Sequence, residues 1–345
     1  MLTYQIDSRS RIFDERMRGF LKLYFKNIKR TGNWKLRLKA TIFLSSLFGL
    51  ISLLALAKQH WLLVVIECIV LGVVISGIGF CVMHDASHRS FSDKKWVNSL
   101  LGLTLNLLGG DIRIWKQQHE IDHHMHTNVD GKDGDIDLGK FGRMHPSQKR
   151  YPWHKYQHIY LPWFGYPISY FLWVYYFDFI KAKKMGFKFW QYVSMVFSKS
   201  IHVAIFIGFP ALFHGLVPVI IGYMIASLVA GTITSFVFQL AHVVELTEMF
   251  DAPEDGIIKK DSVHQLKTTA NFATKNKKLS WYVGGLNFQR EHHLFYQYSH
   301  VHYPVINKEV KIVTRDLGLP DHEYPGLWSA VKSHIARLKF LGNND

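Results

Sequence analysis

The chain has 345 residues, 48% of them apolar and 15% aromatic, yet it carries a formal charge of +15. That combination fits poorly with a soluble globule or a disordered chain, and two cysteines exclude a disulfide framework and a thiolate metal site. The basic charge is compatible with a nucleic-acid arm, but the long apolar runs need a membrane instead, so no nucleic-acid partner is expected.

Residues 1–39 hold eleven Lys or Arg against Asp7, Asp14 and Glu15. A basic flank before an apolar run reads as a cytosolic segment ahead of a first membrane helix, here 1–40. No cleavable signal peptide is expected, because the first apolar stretch arrives late and is too long. Residues 41–83 then read as a transmembrane hairpin, with spans at 41–57 and 61–83 around a tight turn of Lys58, Gln59 and His60. Cys68 and Cys81 fall inside the second span and read as small core residues. Glu67 lies in that span too. An intramembrane carboxylate is a functional candidate by default, but a protonated or hydrogen-bonded group between helices is the simpler reading.

Residues 84–191 form the first long polar segment. It opens on His84-Asp85-Ala86-Ser87-His88, whose histidines stand four apart and therefore on one helix face. It continues with His119-Glu120-Ile121-Asp122-His123-His124, where His119 and His123 share a face and His124 is turned about 100° away, toward a second metal. His126 reads as exposed or outside the ligand set. Residues 160–180 are apolar and aromatic but contain Pro162, Pro167 and Asp178, so they are expected to lie in the interface or re-enter without spanning. A second hairpin covers 192–241, with spans at 192–213 and 216–241 around His214 and Gly215. The segment 242–345 begins with His242, carries Gln289-Arg290-Glu291-His292-His293, and closes with a helix-patterned stretch at 327–341. Parity then places both long segments, both termini and all the histidine clusters on one face, the cytoplasmic one by the excess of Lys and Arg.

The clusters supply eight imidazoles and one amide: His84, His88, His119, His123, His124, His242, Gln289, His292 and His293. A single zinc takes four ligands and would leave half of them idle. Imidazole also suits iron, and two irons with open positions for oxygen fit the inventory. Asp85, Asp122, Asp133, Asp135 and Asp137 are candidates for orienting the imidazole N–H groups, although residues 133–137 equally read as a solvated acidic loop. His119-Glu120-x-x-His123 also matches the H-E-x-x-H signature of zinc proteases. A membrane zinc metalloprotease would use Glu120 as base but would leave the other clusters unexplained. A metal transporter or sensor would need ligands at mid-membrane, where these are not.

The three boxes at 84–88, 119–124 and 289–293 resemble those of the integral-membrane fatty acid desaturases, and the likeness covers nearly the whole chain. Gln289 in Gly-Gly-Leu-Asn-Phe-Gln and the run His300-Val301-His302-Tyr303-Pro304 resemble the front-end subgroup. Glu120, where Asn is common, and Tyr296, where Pro often follows Leu-Phe, depart from the pattern. The His-Pro-Gly-Gly mark of a fused cytochrome b5 is missing too, since His145-Pro146 continues as Ser147-Gln148. The resemblance implies an all-α membrane protein with four transmembrane helices and a cytosolic helical cap holding two iron ions. It further implies an O2-dependent enzyme that puts a cis double bond into a CoA- or lipid-linked acyl chain, with electrons from a separate cytochrome b5 or ferredoxin and its reductase. Hydroxylation of the same chain is the neighbouring outcome of such chemistry.

Overall fold

The computed structural model describes residues 2–4, 6–253 and 261–344. The chain divides into two compact units. The first comprises 33–115 and 162–235, and the second 1–32, 116–161 and 236–345.

The first unit is built on four helices long and apolar enough to cross a membrane: α2 (Trp34–Leu56), α3 (Trp61–Ser87), α4 (Phe189–His214) and α5 (Leu216–His242). The last turn of α5, from Phe236, belongs to the second unit. The expected two hairpins are therefore present, but each opens earlier than the apolar pattern indicated. The side chain of Asn33 caps α2 by accepting from the backbone N–H groups of Lys35 (3.0 Å) and Leu36 (3.2 Å), so the helix begins in the basic stretch that hydropathy alone counted as flank. Small residues allow the helices to close up. A Cβ on Gly72 would come within 2.5 Å of the Ala226 carbonyl oxygen, and one on Gly77 within 2.2 Å of the Phe43 ring. Glu67 sits in the second turn of α3 and accepts from the Gln59 side-chain amide at 2.9 Å, so it is satisfied locally from the outer turn.

Residues 157–184 are helical throughout, in short α-helical stretches alternating with π-helical turns at Leu161–Gly165 and Trp173–Phe177. Tyr166, Tyr170, Val174, Asp178 and Ala182 are buried, every fourth residue, while Trp163, Phe164 and Tyr176 are exposed. The repeat of four, longer than 3.6, is the imprint of those widened turns. Asp178 is held by Lys199, whose ammonium also donates to the carbonyls of Gly109 and Val174 at 2.7 and 2.6 Å. His202 joins the Leu107 carbonyl to the Tyr223 hydroxyl.

The second unit opens on α1 (Arg9–Tyr24) and also holds α6 (Ser262–Thr268), α7 (Gln289–Phe295), α8 (Tyr303–Leu317) and α9 (Leu327–Asn343). Two parallel pairs of two-residue strands tie in its ends: Leu2–Thr3 with Phe250–Asp251, and Asn271–Phe272 with Glu323–Tyr324. The basic N-terminal stretch is thus ordered secondary structure. Phe13, Met17 and Leu21, at helical spacing, enter one core with Val263 and Leu266 of α6, Leu294 and Phe295 of α7, and Ile306, Val310 and Val313 of α8. Of the arginines and lysines counted as a membrane flank, Arg9, Arg11, Arg16, Arg18 and Lys22 lie on this amphipathic helix, and Lys35, Arg37 and Lys39 lie on α2.

Candidate metal centre

Box two does not lie on an ordinary α-helix. Lys116–His123 is π-helical and returns to α at His124. In a π-turn the fifth residue, not the fourth, comes round beneath the first. The rings of His119 and His124 are accordingly 4.7 Å apart and those of His119 and His123 5.5 Å, which reverses the relation expected from 3.6 residues per turn. The widened turn keeps all three imidazoles on the interior side, where each is at least 96% buried.

α7 brings His292 and His293, and the C-terminus of α5 brings His242. The six imidazoles of the second unit form two trios. His123, His242 and His293 have ring centres 4.6–4.9 Å apart and each turns a ring nitrogen to within 4.8 Å of the others. His124 lies 4.7 Å from His119 and 4.6 Å from His292, and at 4.5 Å from His293 it links the trios. In the first unit His84 and His88 are buried, with rings 4.7 Å apart, and both pack against Trp115.

The outer ring nitrogens are committed to protein partners. Nδ1 of His123 meets the Asp133 carboxylate at 3.0 Å, Nδ1 of His293 the Gln265 side-chain carbonyl at 2.9 Å, and Nδ1 of His242 the Thr268 carbonyl at 3.3 Å. Carboxylate and carbonyl oxygens only accept, so Nδ1 carries a proton in each ring, and Nε2 is the nitrogen that presents a lone pair when the ring is neutral. His292 Nδ1 is 3.3 Å from the Tyr303 hydroxyl. Burial disfavours the imidazolium everywhere here, and it prevails at His119. At His123 burial is outweighed by the carboxylates of Asp133 and Asp135, which raise the imidazole to about 9.

Asp133 is the hub of this arrangement. Besides His123 it accepts from the backbone N–H groups of Asn128 and Asp135, both at 2.9 Å, and it is 99% buried. Asp135 stands 3.6 Å from His123 and 4.0 Å from His119. Asp137 instead caps a turn through the Gly139 N–H, Asp122 accepts from Gln117, and His126 binds the Asp122 carbonyl away from the trios. Half of the acidic loop therefore serves the histidines and half faces outward. The sequence reading did not identify Gln265, which donates to the His124 carbonyl while accepting from His293. A glutamine far from any box carries no spacing signal.

The donor set fits metal binding. Nε2 of His123 and Oε1 of Gln289 are buried without a hydrogen bond, an arrangement costly in folding unless something else engages them. The Gln289 amide nitrogen lies 3.3 Å from His242 Nε2, and the reversed amide would direct its oxygen to the same place. Neutral, Nδ1-protonated imidazoles and an amide oxygen are ligands for a divalent first-row metal.

Comparison with known proteins bears on the chemistry. The sequence pattern of the family described as fatty acid desaturase matches residues 59–325. The sn-1 linoleoyl-lipid 6-desaturase of Arthrospira platensis is 32% identical over 332 residues, covering 92% of this chain and 89% of that one. The enzyme of the same name from a Synechocystis species is 29% identical, covering 96% and 95%. The acyl-lipid (8-3)-desaturase of Physcomitrium patens is 32% identical over 79% of this chain and 59% of its own length. The H-E-x-x-H match is thus one part of a larger histidine set, and the chain belongs to the fatty acid desaturase family, as an integral-membrane enzyme that introduces double bonds into fatty acyl chains.

Proposed function

We propose that the substrate is a lipid-linked acyl chain that already carries a double bond, and that the new cis bond forms between that bond and the carboxyl end. The names of the Arthrospira and Synechocystis relatives, aligned almost end to end, support this reading, as does Gln289 in place of the first histidine of box three. We further propose two irons as the cofactor and His84, His88, His119, His123, His124, His242, Gln289, His292 and His293 as their ligands. When bound, the irons supply activation of O2 for removal of hydrogen from two adjacent methylenes.

The chain's own part is positional. Asp133, Gln265 and Thr268 hold the Nδ1 atoms of His123, His293 and His242, which turns the Nε2 atom of each toward a metal. Burial of the trios excludes water, which would otherwise quench the oxidant. The apolar α3 and α5 offer the surface along which an acyl chain would approach. Both termini and the histidine face are assigned to the cytoplasm, where a separate carrier and reductase deliver electrons.

The observation that carries the metal assignment is the pair of imidazole trios, with the outer nitrogens of His123, His242 and His293 committed to protein acceptors. The test is expression in a host without polyunsaturated lipids, with defined fatty acids supplied. A new double bond on the carboxyl side of an existing one, together with about two irons per chain that are lost in His123→Ala, is the expected result. One zinc and no iron, or a product changed only on the methyl side, would overturn it.

A further inference from the structure

The motif His300-Val301-His302-Tyr303 takes no part in the ligand set, yet its residues connect the metal centre to the surface. The Tyr303 hydroxyl lies 3.3 Å from His292 Nδ1. Its chain neighbour His302 accepts or donates through Nδ1 to the Tyr24 hydroxyl at 3.1 Å. The His302 ring lies edge-on to Phe25 at 4.9 Å and to Tyr24 at 5.7 Å, Phe25 stacks on Tyr298 at 4.7 Å, and Tyr24 stacks on Phe20 at 5.7 Å. His302 and Tyr303 are buried, whereas Phe20, Tyr24, Phe25 and Tyr298 are partly exposed. A series of rings, joined through the backbone between His302 and Tyr303, thus runs from a candidate ligand to the C-terminal end of α1.

The surface at that end is basic in a particular way. Arg11 and Arg16 are neutralised by Glu15 and Asp316. Arg18, Lys22, Lys26 and, from α8, Lys308 are exposed and have no ion-pair partner among the described residues. Leu23, 76% exposed, stands among the α1 cations. Uncompensated cations around an apolar contact form the complement of a small acidic redox protein, and such encounters use small, electrostatically steered interfaces.

We propose that an acidic one-electron carrier protein docks on the outer face of α1, and that electrons pass inward along Tyr24, His302, Tyr303 and His292. The proposal rests on the desaturase reading above. No ring is itself reduced, because the packed side chains serve as the tunnelling medium. Each passage oxidises the carrier by one electron and reduces the metal by one. Two electrons, two protons, O2 and the two hydrogens taken from the acyl chain balance as two waters.

Two measurements on the full chain test this. The first is binding of oxidised [2Fe–2S] ferredoxin, and separately of oxidised cytochrome b5 haem domain, to wild type and to Lys22→Glu/Lys26→Glu. At least one carrier should bind the wild type and bind the variant about tenfold more weakly at low ionic strength, with the gap closing at high salt. Binding by one carrier alone identifies the source, and equal binding to both proteins overturns the docking face. The second is anaerobic stopped-flow reduction by the bound carrier and by dithionite. Tyr24→Leu should slow the carrier at least about tenfold, with dithionite reduction and iron content unchanged. Tyr24→Phe, which keeps the ring, should be milder. Equal slowing of both reductants, or no slowing, overturns the path. Failure of the desaturase reading would appear separately, as a wild type without iron, and the binding arm does not depend on iron.

Discussion

Asp133 and His123 are ten residues apart in sequence and 3.0 Å apart in space, and the same carboxylate accepts from the backbone of Asn128 and Asp135. One buried anion thus fixes both an imidazole and the loop that follows it. Asp133→Asn keeps the size and one acceptor but loses the charge and sets an N–H2 group against existing donors. Metal affinity should fall about 10–100-fold, with a smaller loss of thermal stability. Metal content after dialysis against a graded chelator series measures this, and unchanged retention would remove Asp133 from any role at the centre.

Lys199 and Asp178 form the polar tie of the membrane unit. Lys199→Met leaves a buried carboxylate without its cation and frees the carbonyls of Gly109 and Val174. It should cost roughly 3–5 kcal/mol, while Lys199→Met/Asp178→Leu should recover much of that, because removing both charges also removes the desolvation penalty. Unfolding in detergent checks the pair, and a double variant no better than the single would refute the coupling.

Much of this was legible in the sequence, and what was not has identifiable causes. The four apolar helices were readable because bilayer thickness imposes their length. The second and fourth begin where the apolar pattern put them, but the start of α2 was misjudged because hydropathy ignores Asn33, a cap that extends it back through Lys35, Arg37 and Lys39. The histidines of boxes two and three were readable from chemistry and spacing, but the pairing of His119 with His124 was not. A π-turn is set by packing, and the 116–123 segment has no local signature that forces it. The helix in the N-terminal stretch went unread because a basic amphipathic helix and a basic membrane flank have the same charge, and the burial of Phe13, Met17 and Leu21 is what reveals it.

His264 and His334 give the second unit an acid limit. Burial lowers each to about 4, although each imidazole is hydrogen-bonded to a backbone carbonyl, that of Thr127 or Val243. Their folded values lie below the unfolded value of 6.5. Both are neutral in either state above that value, so their penalty is absent there. As pH falls from 6.5 toward 4 the unfolded chain gains protons that the folded one refuses, and stability drops. Each group contributes about 3 kcal/mol to that loss at most. His334→Gln should flatten the decline of thermal midpoint between pH 6.5 and 4, and an unchanged slope would show that other groups set the limit.

Two residues inside box three lie outside the proposed ligand set. Arg290 and Glu291 are fully buried and paired at 3.0 Å, and Arg290 also reaches Asp321. The Glu291 carboxylate accepts from Asn271 at 2.7 Å and Asn307 at 3.0 Å, while Asn271 in turn accepts from the Arg290 backbone N–H. α7 is only seven residues long and cannot hold its own register. Its rotation, and with it the aim of Gln289, His292 and His293, is therefore fixed by this charged cluster on its far side. Glu291→Ala strands the guanidinium and should destabilise by roughly 3–5 kcal/mol. Glu291→Gln retains one acceptor and should fold, but with its new amide N–H2 facing either the Asn271 donor or the Asn307 and Arg290 donors it should bind metal more weakly than wild type. Chelator competition on the Gln variant separates aim from stability. Wild-type retention there would mean that α7 is oriented by its apolar contacts alone.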